Sequence, residues 1–479
     1  MNYDTYENPL VTRYASKELT WIWSQRYKFT TWRKLWLALA RAEKELGLPI
    51  TDEQIEEMEA NLHAIDFKLA EEKEREFRHD VMGHIYAYGA VCPQAKPILH
   101  LGATSCYVTD NSELILIKES MEIIRRRMIR LLSVLRDTAL QYKSLPTLGF
   151  THYQPAQLTT VGKRVCLWLY DFLLDFQELE NQMKKLPFRG VKGTTGTQAS
   201  FLELFDGDHS KVIALDKRVG SLMGFGQTIP LCGQTYTRKV DYQIVSMLSG
   251  IAQSAYKMAG DIRHLMNLKE VDEPFEKDQV GSSAMAYKRN PMRSERICAL
   301  ARFAMSLTEN TANTHASQWF ERSLDDSANR RIVLPESFLT VDAILRLSIN
   351  VIDGITVWPV VIQKHINEEL PFMATESVLM VCVKAGGDRQ RLHEAIRVHS
   401  MASARCVKEE GKANDLLERI SKDPLFEAVH DKLEDLMDSH RFTGRAAAQV
   451  DEFLSEYVTP VLDRYRHITD ESIADNINV

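Results

Sequence analysis

The sequence lacks the features that most readily narrow the class of a protein. It has no Cys-X-X-Cys pair, which excludes a disulfide framework and a cysteine zinc site and indicates reduced thiols. No apolar run reaches the roughly 18 residues needed to span a bilayer. The first residues also lack the basic and the apolar regions of a signal peptide. We therefore expect a soluble, cytoplasmic protein. The seven cysteines are Cys92, Cys106, Cys166, Cys232, Cys298, Cys382 and Cys406.

An excess of positive charge is also missing. The formal net charge is −7, which argues against a broad nucleic-acid-binding surface but leaves room for a local basic pocket. Hydrophobic residues make up 44% and charged residues 26% of the 479 positions, as in an ordinary globular protein. A chain of this length exceeds one ordinary core, so two or three subdomains are expected.

Glycine is absent from residues 282–353, and the prolines in that stretch are Pro291 and Pro335. No part of the middle of the chain alternates with strand periodicity over a useful length, so we predict an all-α fold. The tract at 111–144, which Asp110 would cap, would form a helix of about 50 Å that cannot bury its apolar stripe alone. Further long helices are predicted at 157–185, 237–269, 293–313 and 337–353.

These tracts predict three helical domains. Residues 1–104 contain short helices broken by turns, including a capping box at Thr51 and Gln54. Residues 105–358 form a central bundle of long helices. The last domain, residues 359–479, begins after the break at Val357, Trp358 and Pro359.

A polar stretch at residues 281–291, Gly-Ser-Ser-Ala-Met-Ala-Tyr-Lys-Arg-Asn-Pro, precedes one of the long helices. Its glycine and serines can present successive backbone N–H groups to an anion, while Lys288 adds a mobile charge and Asn290 a directional donor. Pro291 suits the first helical position, so the positive end of the helix would face the stretch. The pattern indicates a carboxylate pocket with a serine beside it. A polar surface turn would explain only the glycine and the proline.

This stretch closely resembles the signature loop of the fumarase/aspartase superfamily, whose members release fumarate by β-elimination. The flanking residues, including Met-Arg-Ser-Glu-Arg at 292–296, are most similar to the adenylosuccinate lyases. The family usually has proline at the position of Ala286. The resemblance extends over nearly the whole chain and implies a homotetramer, in which long helices from four subunits form a central bundle and the active sites are shared between subunits.

The resemblance also implies the reaction, which is cleavage of an N-succinyl purine intermediate to fumarate and an amine. Adenylosuccinate would give AMP, and succinylaminoimidazole carboxamide ribotide would give the corresponding amide; no metal or organic cofactor is needed. Ser282 matches the general base, and His152 matches the general acid that protonates the leaving nitrogen. A serine base must be activated by Lys288, by local N–H groups and by exclusion of water. The residues alone do not favour Ser282 over Ser283.

The remaining matches to the family's substrate contacts are spread along the chain. Lys288, Asn290, Thr104 and Ser105 are expected to hold the succinyl carboxylates. Arginine suits phosphate because its planar guanidinium group can donate two parallel hydrogen bonds to the phosphate oxygens. The other expected contacts are Gln234 on the succinyl portion, Thr151 on the substrate, Tyr14 at the nucleotide, Arg78, His79 and Asp80 against the substrate, and Arg13, Arg296, Arg322, Ser327 and Arg331 on the phosphate.

Other interpretations remain open for several of these features. A lone histidine in a loop, such as His152, usually has a structural role in holding the loop. His84 is also expected to be structural. The charged residues at 320–331 could form a solvent-exposed helix face. Residues 190–197 lack the Gly-Lys-Ser/Thr sequence of a phosphate-binding P-loop, so we predict a tight turn there. The rival functions are another fumarate-releasing lyase, such as one acting on argininosuccinate, and a non-catalytic scaffold. The arginine cluster favours a nucleotide, and a scaffold would need neither Ser282 nor His152.

Overall fold

The long tracts fold into helices, as expected for an all-α protein, in a computed structural model that describes residues 4–276, 279–281, 283–285 and 287–469. The α-helices are α1 Lys17–Ile22, α2 Gln25–Glu45, α3 Asp52–Ala60, α4 Phe67–Phe77, α5 Asp80–Val91, α6 Ser105–Gln141, α7 Val161–Lys185, α8 Ala199–Leu204, α9 His209–Leu222, α10 Lys239–Asn267, α11 Met292–Ala316, α12 Asp325–Asp353, α13 Pro359–Met373, α14 Thr375–Lys384, α15 Arg389–Glu410, α16 Leu416–Lys422, α17 Leu433–Leu436, α18 Ala446–Phe453, α19 Thr459–Arg464 and α20 Arg466–Thr469. The strands are β1 Pro146–Thr151, β2 Gln154–Thr160, β3 Val271–Asp272 and β4 Thr356–Val357. Short 3-10 or π turns cover Leu10–Tyr14, Lys96–Ile98, Pro424–Lys432, Ser439–Phe442 and Leu454–Val458.

The central helices form a bundle in which α6, α10 and α12 run in the same direction. Arg238, just before α10, donates to Asp110 in the second turn of α6 and to Asp326 at the start of α12. These bonds bring the N-termini of three helices to one end of the bundle. The helices α7 and α11 run in the opposite direction. Gly162 at the start of α7 packs against the carbonyl of Ala139 near the end of α6, and Arg293 at the start of α11 donates to Asn350 near the end of α12.

A buried network of charges ties the three N-termini together. Arg330 of α12 pairs with Asp241 of α10 at 2.7 Å and with Glu113 of α6 at 2.5 Å. Arg238 pairs with Asp326 at 2.6 Å, and both side chains are almost fully buried. Buried charges are tolerated only when they are paired and hydrogen-bonded, so this network holds the helices in a fixed arrangement.

Two helices begin earlier in the sequence than predicted. The helix α6 begins at Ser105 with Thr104 as its N-cap residue, and Asp110, expected to be the cap, is buried in the charge network. The helix α12 begins at Asp325 rather than at 337 and contains Pro335. The charge run at 320–331 is therefore not simply a solvated helix face, since Asp326 and Arg330 are buried. The capping box at Thr51 and Gln54 is confirmed.

A β-hairpin interrupts the region where only helices were expected. The strands β1 and β2 pair antiparallel, with Pro146 opposite Thr160 and Thr151 opposite Gln154. The predicted helix at 157–185 therefore starts too early, because Thr160 ends the strand and its hydroxyl caps α7 by accepting from the backbone N–H of Lys163.

The part of the chain that the structure describes contains two hydrophobic cores. The larger lies between the bundle helices and includes residues 450–465, which return from the C-terminal part of the chain. The smaller lies within residues 378–436 and includes Phe426 and Leu416. Within the described residues, no helix is both long enough and apolar enough to cross a membrane. The proposed domain limits at 104 and 358 stay a prediction.

Glu43 in α2 is a fully buried carboxyl whose two oxygens have no hydrogen-bond partner among the described residues. Burial raises its pKa from the usual 4.5 to about 9. The folded protein therefore keeps this carboxyl protonated at neutral pH, whereas the unfolded chain ionises it. The resulting cost to stability is absent below the unfolded pKa, grows as the pH rises, and is complete above the folded pKa.

We expect Glu43→Gln to stabilise the protein, because the amide cannot ionise in the unfolded chain. The gain should be about 3 kcal/mol near neutral pH and larger at about pH 8 than at about pH 6. Thermal or urea unfolding of both proteins across this range measures it. An equal difference at every pH would contradict a neutral Glu43.

Candidate active site

Several of the expected substrate residues meet at the bundle end where α6, α10 and α12 begin. We call the set His79, Asp80, Thr104, Ser105, Gln234, Arg322 and Arg331 the helix-end cluster. Nδ1 of His79 accepts from the backbone N–H of Met82, which caps α5. Nε2 of His79 lies 3.2 Å from Oγ of Ser105. With Nδ1 accepting, a neutral ring carries its proton on Nε2 and donates to Ser105, which leaves the serine O–H available for a substrate carboxylate.

Gln234 is held by several groups of the cluster. Its Oε1 accepts from NH1 of Arg322 at 2.8 Å, so its amide nitrogen faces Oγ1 of Thr104 at 3.4 Å. The thiol of Cys106 lies 2.9 Å from the same arginine nitrogen. Burial raises the pKa of this thiol to about 11, so it stays protonated. The arrangement fixes which end of the Gln234 amide can donate.

Arg189 is a fully buried arginine that the sequence did not indicate. Its guanidinium donates to the backbone carbonyls of Gln234, Gly190 and Gly193. Gly190, Gly193 and Gly196 all have positive φ, in agreement with the tight turn expected at 190–197. Arg189 thus fixes the backbone of Gln234, which only tertiary structure could reveal.

The acidic and basic members of the cluster also pair. Arg331 donates to Asp80 at 2.9 Å. Lys28, another residue missed by the sequence reasoning, has its pKa lowered by burial, with opposing contributions from Glu113 and Asp80. Arg78 is exposed with left-handed backbone at the end of α4, and Ser327 lies in the first turn of α12.

His84, by contrast, is structural as expected. Its ring stacks on Phe29 at 3.7 Å, and burial lowers its pKa to about 4. Among the described side chains, no group of three His, Cys, Asp or Glu residues could hold a metal ion.

The described residues of the signature loop, residues 281–291, lie at the opposite end of the bundle, since Arg293 just after them donates to Asn350 near the end of α12. Ser282 and Ala286 fall outside the described residues. The amide of Asn290 donates to the carbonyl of Gly281 at 2.9 Å, so one of its N–H groups serves the loop itself. Ser283 and Lys288 are exposed.

Gly281 is expected to tolerate no side chain. A Cβ built there would lie 2.0 Å from the carbonyl oxygen of Lys288, so Gly281→Ala should displace the loop and greatly reduce activity while the helical core stays folded. The matched control is Gly226→Ala, because a Cβ there meets no atom of the described residues within 4 Å. Steady-state kinetics and circular dichroism would test this. Normal kinetics of Gly281→Ala would contradict the observed packing.

The prediction for Pro291 was wrong in its detail. Pro291 is the N-cap residue, and α11 begins at Met292. The backbone N–H groups of Arg293 and Ser294 donate to the carboxylate of Glu273. The positive end of α11 is therefore occupied by a side chain of the same protein and is not free for a substrate carboxylate.

Arg13, Tyr14 and Arg296 form a second group near the signature loop. The guanidinium carbons of Arg13 and Arg296 lie 6.0 and 5.5 Å from the centre of the Tyr14 ring. The carbonyl of Tyr14 accepts from Arg346, far along α12. Since Arg331 and Arg346 are fifteen residues apart on one helix, this group lies about 20 Å along α12 from the helix-end cluster.

Thr151 and His152 lie at the tip of the β1–β2 hairpin and are exposed. His152 and Tyr153 both have positive φ, at 52° and 60°, which is uncommon for residues other than glycine. The hydroxyl of Tyr153 lies 2.9 Å from Nδ1 of His264, in the last turn of α10. The turn therefore presents the imidazole of His152 to solvent.

His152 cannot reach the helix-end cluster of its own chain. Ser105 and the hairpin lie at opposite ends of α6, which has 37 residues and is about 55 Å long. The ten residues 142–151 between α6 and His152 could recover at most about 33 Å of that distance. Within one chain, the candidate acid is therefore far from Thr104 and Ser105, two of the candidate carboxylate contacts.

The sequence is similar to those of known lyases. A family described as lyase matches residues 15–305, and one described as adenylosuccinate lyase C-terminus matches residues 371–453. The chain is 52% identical to the adenylosuccinate lyase of Schizosaccharomyces pombe, over 98% of this chain and 99% of that protein. It is 51% identical to the adenylosuccinate lyase of Saccharomyces cerevisiae, over 99% and 100%.

The fold is similar to that of a solved structure as well. The crystal structure of 3-carboxy-cis,cis-muconate lactonizing enzyme from Pseudomonas putida superposes with a TM-score of 0.80 at 21% identity. The match covers 96% of this chain and 100% of that chain. At this identity the likeness concerns the fold alone.

Proposed function

The chain belongs to the adenylosuccinate lyase family and is a carbon–nitrogen lyase, and on this premise we propose how its residues divide the reaction. The substrate is adenylosuccinate, which gives fumarate and AMP. We extend the same chemistry to succinylaminoimidazole carboxamide ribotide, whose leaving group is also a nucleotide-bound nitrogen. The observation that carries the proposal is the helix-end cluster, because it gathers separated family residues into one polar site.

The proposed elimination begins when Ser282, activated as its alkoxide, takes a proton from Cβ of the succinyl group and becomes a neutral hydroxyl. This proton is weakly acidic, so the negative charge that develops on the adjacent carboxylate needs stabilisation. Lys288, with its exposed ammonium group, and the hydroxyls of Thr104 and Ser105 are the groups proposed to supply it. His152 then protonates the nitrogen as the C–N bond breaks, and the electron pair of the C–H bond becomes the double bond of fumarate.

A complete site of this kind requires more than one chain. The helix-end cluster and His152 are separated by the length of α6. The phosphate contacts are divided as well, since Arg322 and Arg331 lie in the helix-end cluster while Arg13 and Arg296 lie about 20 Å away along α12. One phosphate group cannot contact both sets in a single chain, and a site formed between subunits removes the difficulty.

An apolar face on α7 supports the homotetramer that we propose. Leu167, Tyr170 and Leu174 follow helical spacing and are each about half exposed. A stripe of large apolar side chains on one helix face is typical of a surface that is covered in an assembly. A closed tetramer would cover such faces and bring the separated groups together.

The substrate can be tested directly by measuring fumarate release by purified protein from adenylosuccinate, argininosuccinate and malate. We expect fumarate and AMP in equal amounts from adenylosuccinate and no turnover of the other two. Fumarate from argininosuccinate or malate alone would keep the elimination chemistry but replace the substrate. No product from any of them would support a scaffold.

A further inference from the structure

Glu273 is a buried carboxylate that the proposed chemistry does not use, and it joins the two ends of the segment that contains the signature loop. Its oxygens accept from the backbone N–H of Arg293 at 2.9 Å and of Ser294 at 2.6 Å. Glu273 precedes the loop, whereas Arg293 and Ser294 are in the first turn of α11. The carboxylate thus satisfies two N–H groups at the positive end of a 25-residue helix.

The side chain of Arg293 strengthens the same junction. It is buried and donates to Oδ1 of Asn350 at 2.6 Å and to Oε1 of Glu276 at 3.0 Å. On the other side, the strand β3 just before Glu273 pairs with β4, next to α13. The residues on both sides of the loop are therefore anchored to α12 and to the β3–β4 pair.

The position of Glu273 bears on the proposed chemistry because of what lies next to the residues that it caps. Asn290 is three residues before Arg293 and is bonded back to Gly281, whose carbonyl accepts from it at 2.9 Å. Arg296 lies one turn further along α11. The cap therefore fixes the positions of Lys288 and Asn290, which lie just before α11, relative to Arg296 within the helix.

We propose that Glu273 is a positioning residue for the lyase reaction. It acts through the N-terminus of α11 and holds Lys288 and Asn290 in a fixed relation to Arg296. The inference rests on the proposed function, in which those three residues bind substrate. Without the carboxylate, two buried N–H groups lose their acceptor, and the last residues of the loop shift relative to α11.

The test is Glu273→Gln, which preserves shape but turns an amide N–H₂ towards one of the backbone N–H groups. We expect kcat for adenylosuccinate to fall about 10- to 100-fold, with a much smaller change in KM. Trypsin should cut faster after the exposed Lys288 and Arg289, while the unfolding temperature changes little.

The matched control is Asp208→Asn, since Asp208 caps α9 by accepting from Ser210 and Lys211. It should leave kcat and cleavage in the loop unchanged.

Glu273→Asp provides the second variant, because its shorter carboxylate keeps the charge but reaches the two N–H groups less well. It should give an intermediate loss of kcat, and it decides the question if Glu273→Gln does not fold. Wild-type kcat in the folded variants would overturn the proposal. A loss of kcat matched by an equal loss of folded protein would also overturn it, since that indicates a purely structural role. If the wild-type protein has no lyase activity, the proposed function fails, whereas the trypsin comparison still reports on the cap.

Discussion

Replacing Ser282 with alanine is expected to reduce kcat by about 10²–10⁴-fold, the range that a positioned proton-transfer group contributes. The Cβ proton of the succinyl group is weakly acidic, and the methyl group of alanine cannot accept it. Binding of adenylosuccinate should remain measurable, because carboxylate and phosphate contacts are made by other residues. Single-turnover kinetics together with a direct binding measurement would separate these two effects.

The neighbouring serine is the matched control for this experiment. Ser283 has the same side chain, is exposed, and lies one residue further along the same loop. Ser283→Ala should therefore retain most of the wild-type kcat. If Ser283→Ala lost activity while Ser282→Ala kept it, the base would be Ser283, which physical reasoning from the sequence left open.

Replacing His152 with glutamine is expected to reduce kcat by about 10²–10⁴-fold as well, with little loss of stability. The side chain lies exposed at the tip of the hairpin and buries little surface on folding of the chain. A glutamine amide cannot supply a proton to the leaving nitrogen near neutral pH. Kinetics and thermal unfolding of the same preparation would measure both quantities.

Tyr153→Phe distinguishes this role from a structural one. It removes the hydroxyl that lies 2.9 Å from His264 and so weakens the attachment of the hairpin, but it takes away no proton donor proposed for the reaction. We expect a small effect on kcat. Equal losses in both variants, accompanied by a lower unfolding temperature, would identify His152 as a brace of the turn.

The sequence predicted the helical class because long stretches without glycine leave the helix as the simplest way to satisfy the backbone. The same reasoning was wrong where no glycine or proline separated a strand from a helix, and where a proline lay inside a helix. The helix at 157–185 was extended into β2, although Thr159 and Thr160 are β-branched and favour a strand. The start of α12 was placed too late, at 337, whereas the helix begins at Asp325 and accommodates Pro335 in its interior.

The candidate site was only partly predictable for a similar reason. Family resemblance identified residues such as Gln234 and Arg322, whose side chains are in contact. The residues that hold them are not visible in a linear pattern. Arg189 acts on carbonyls up to 45 residues away, and Glu273 caps a helix that begins nearly 20 residues later. These roles depend on which surfaces pack together, and local propensity does not specify that.

The central claim is that each site combines groups from different chains, and mixing two inactive variants tests it most directly. One variant is His152→Gln, and the other is Gln234→Met, which removes the amide from the helix-end cluster. After the two are dissociated, mixed in equal amounts and reassembled, sites that draw these residues from different subunits should regain about one quarter of the wild-type lyase activity. Each variant treated in the same way alone should stay inactive. No recovery from a mixture that has formed hybrid oligomers would place His152 and Gln234 of one chain in the same site, and it would contradict the account.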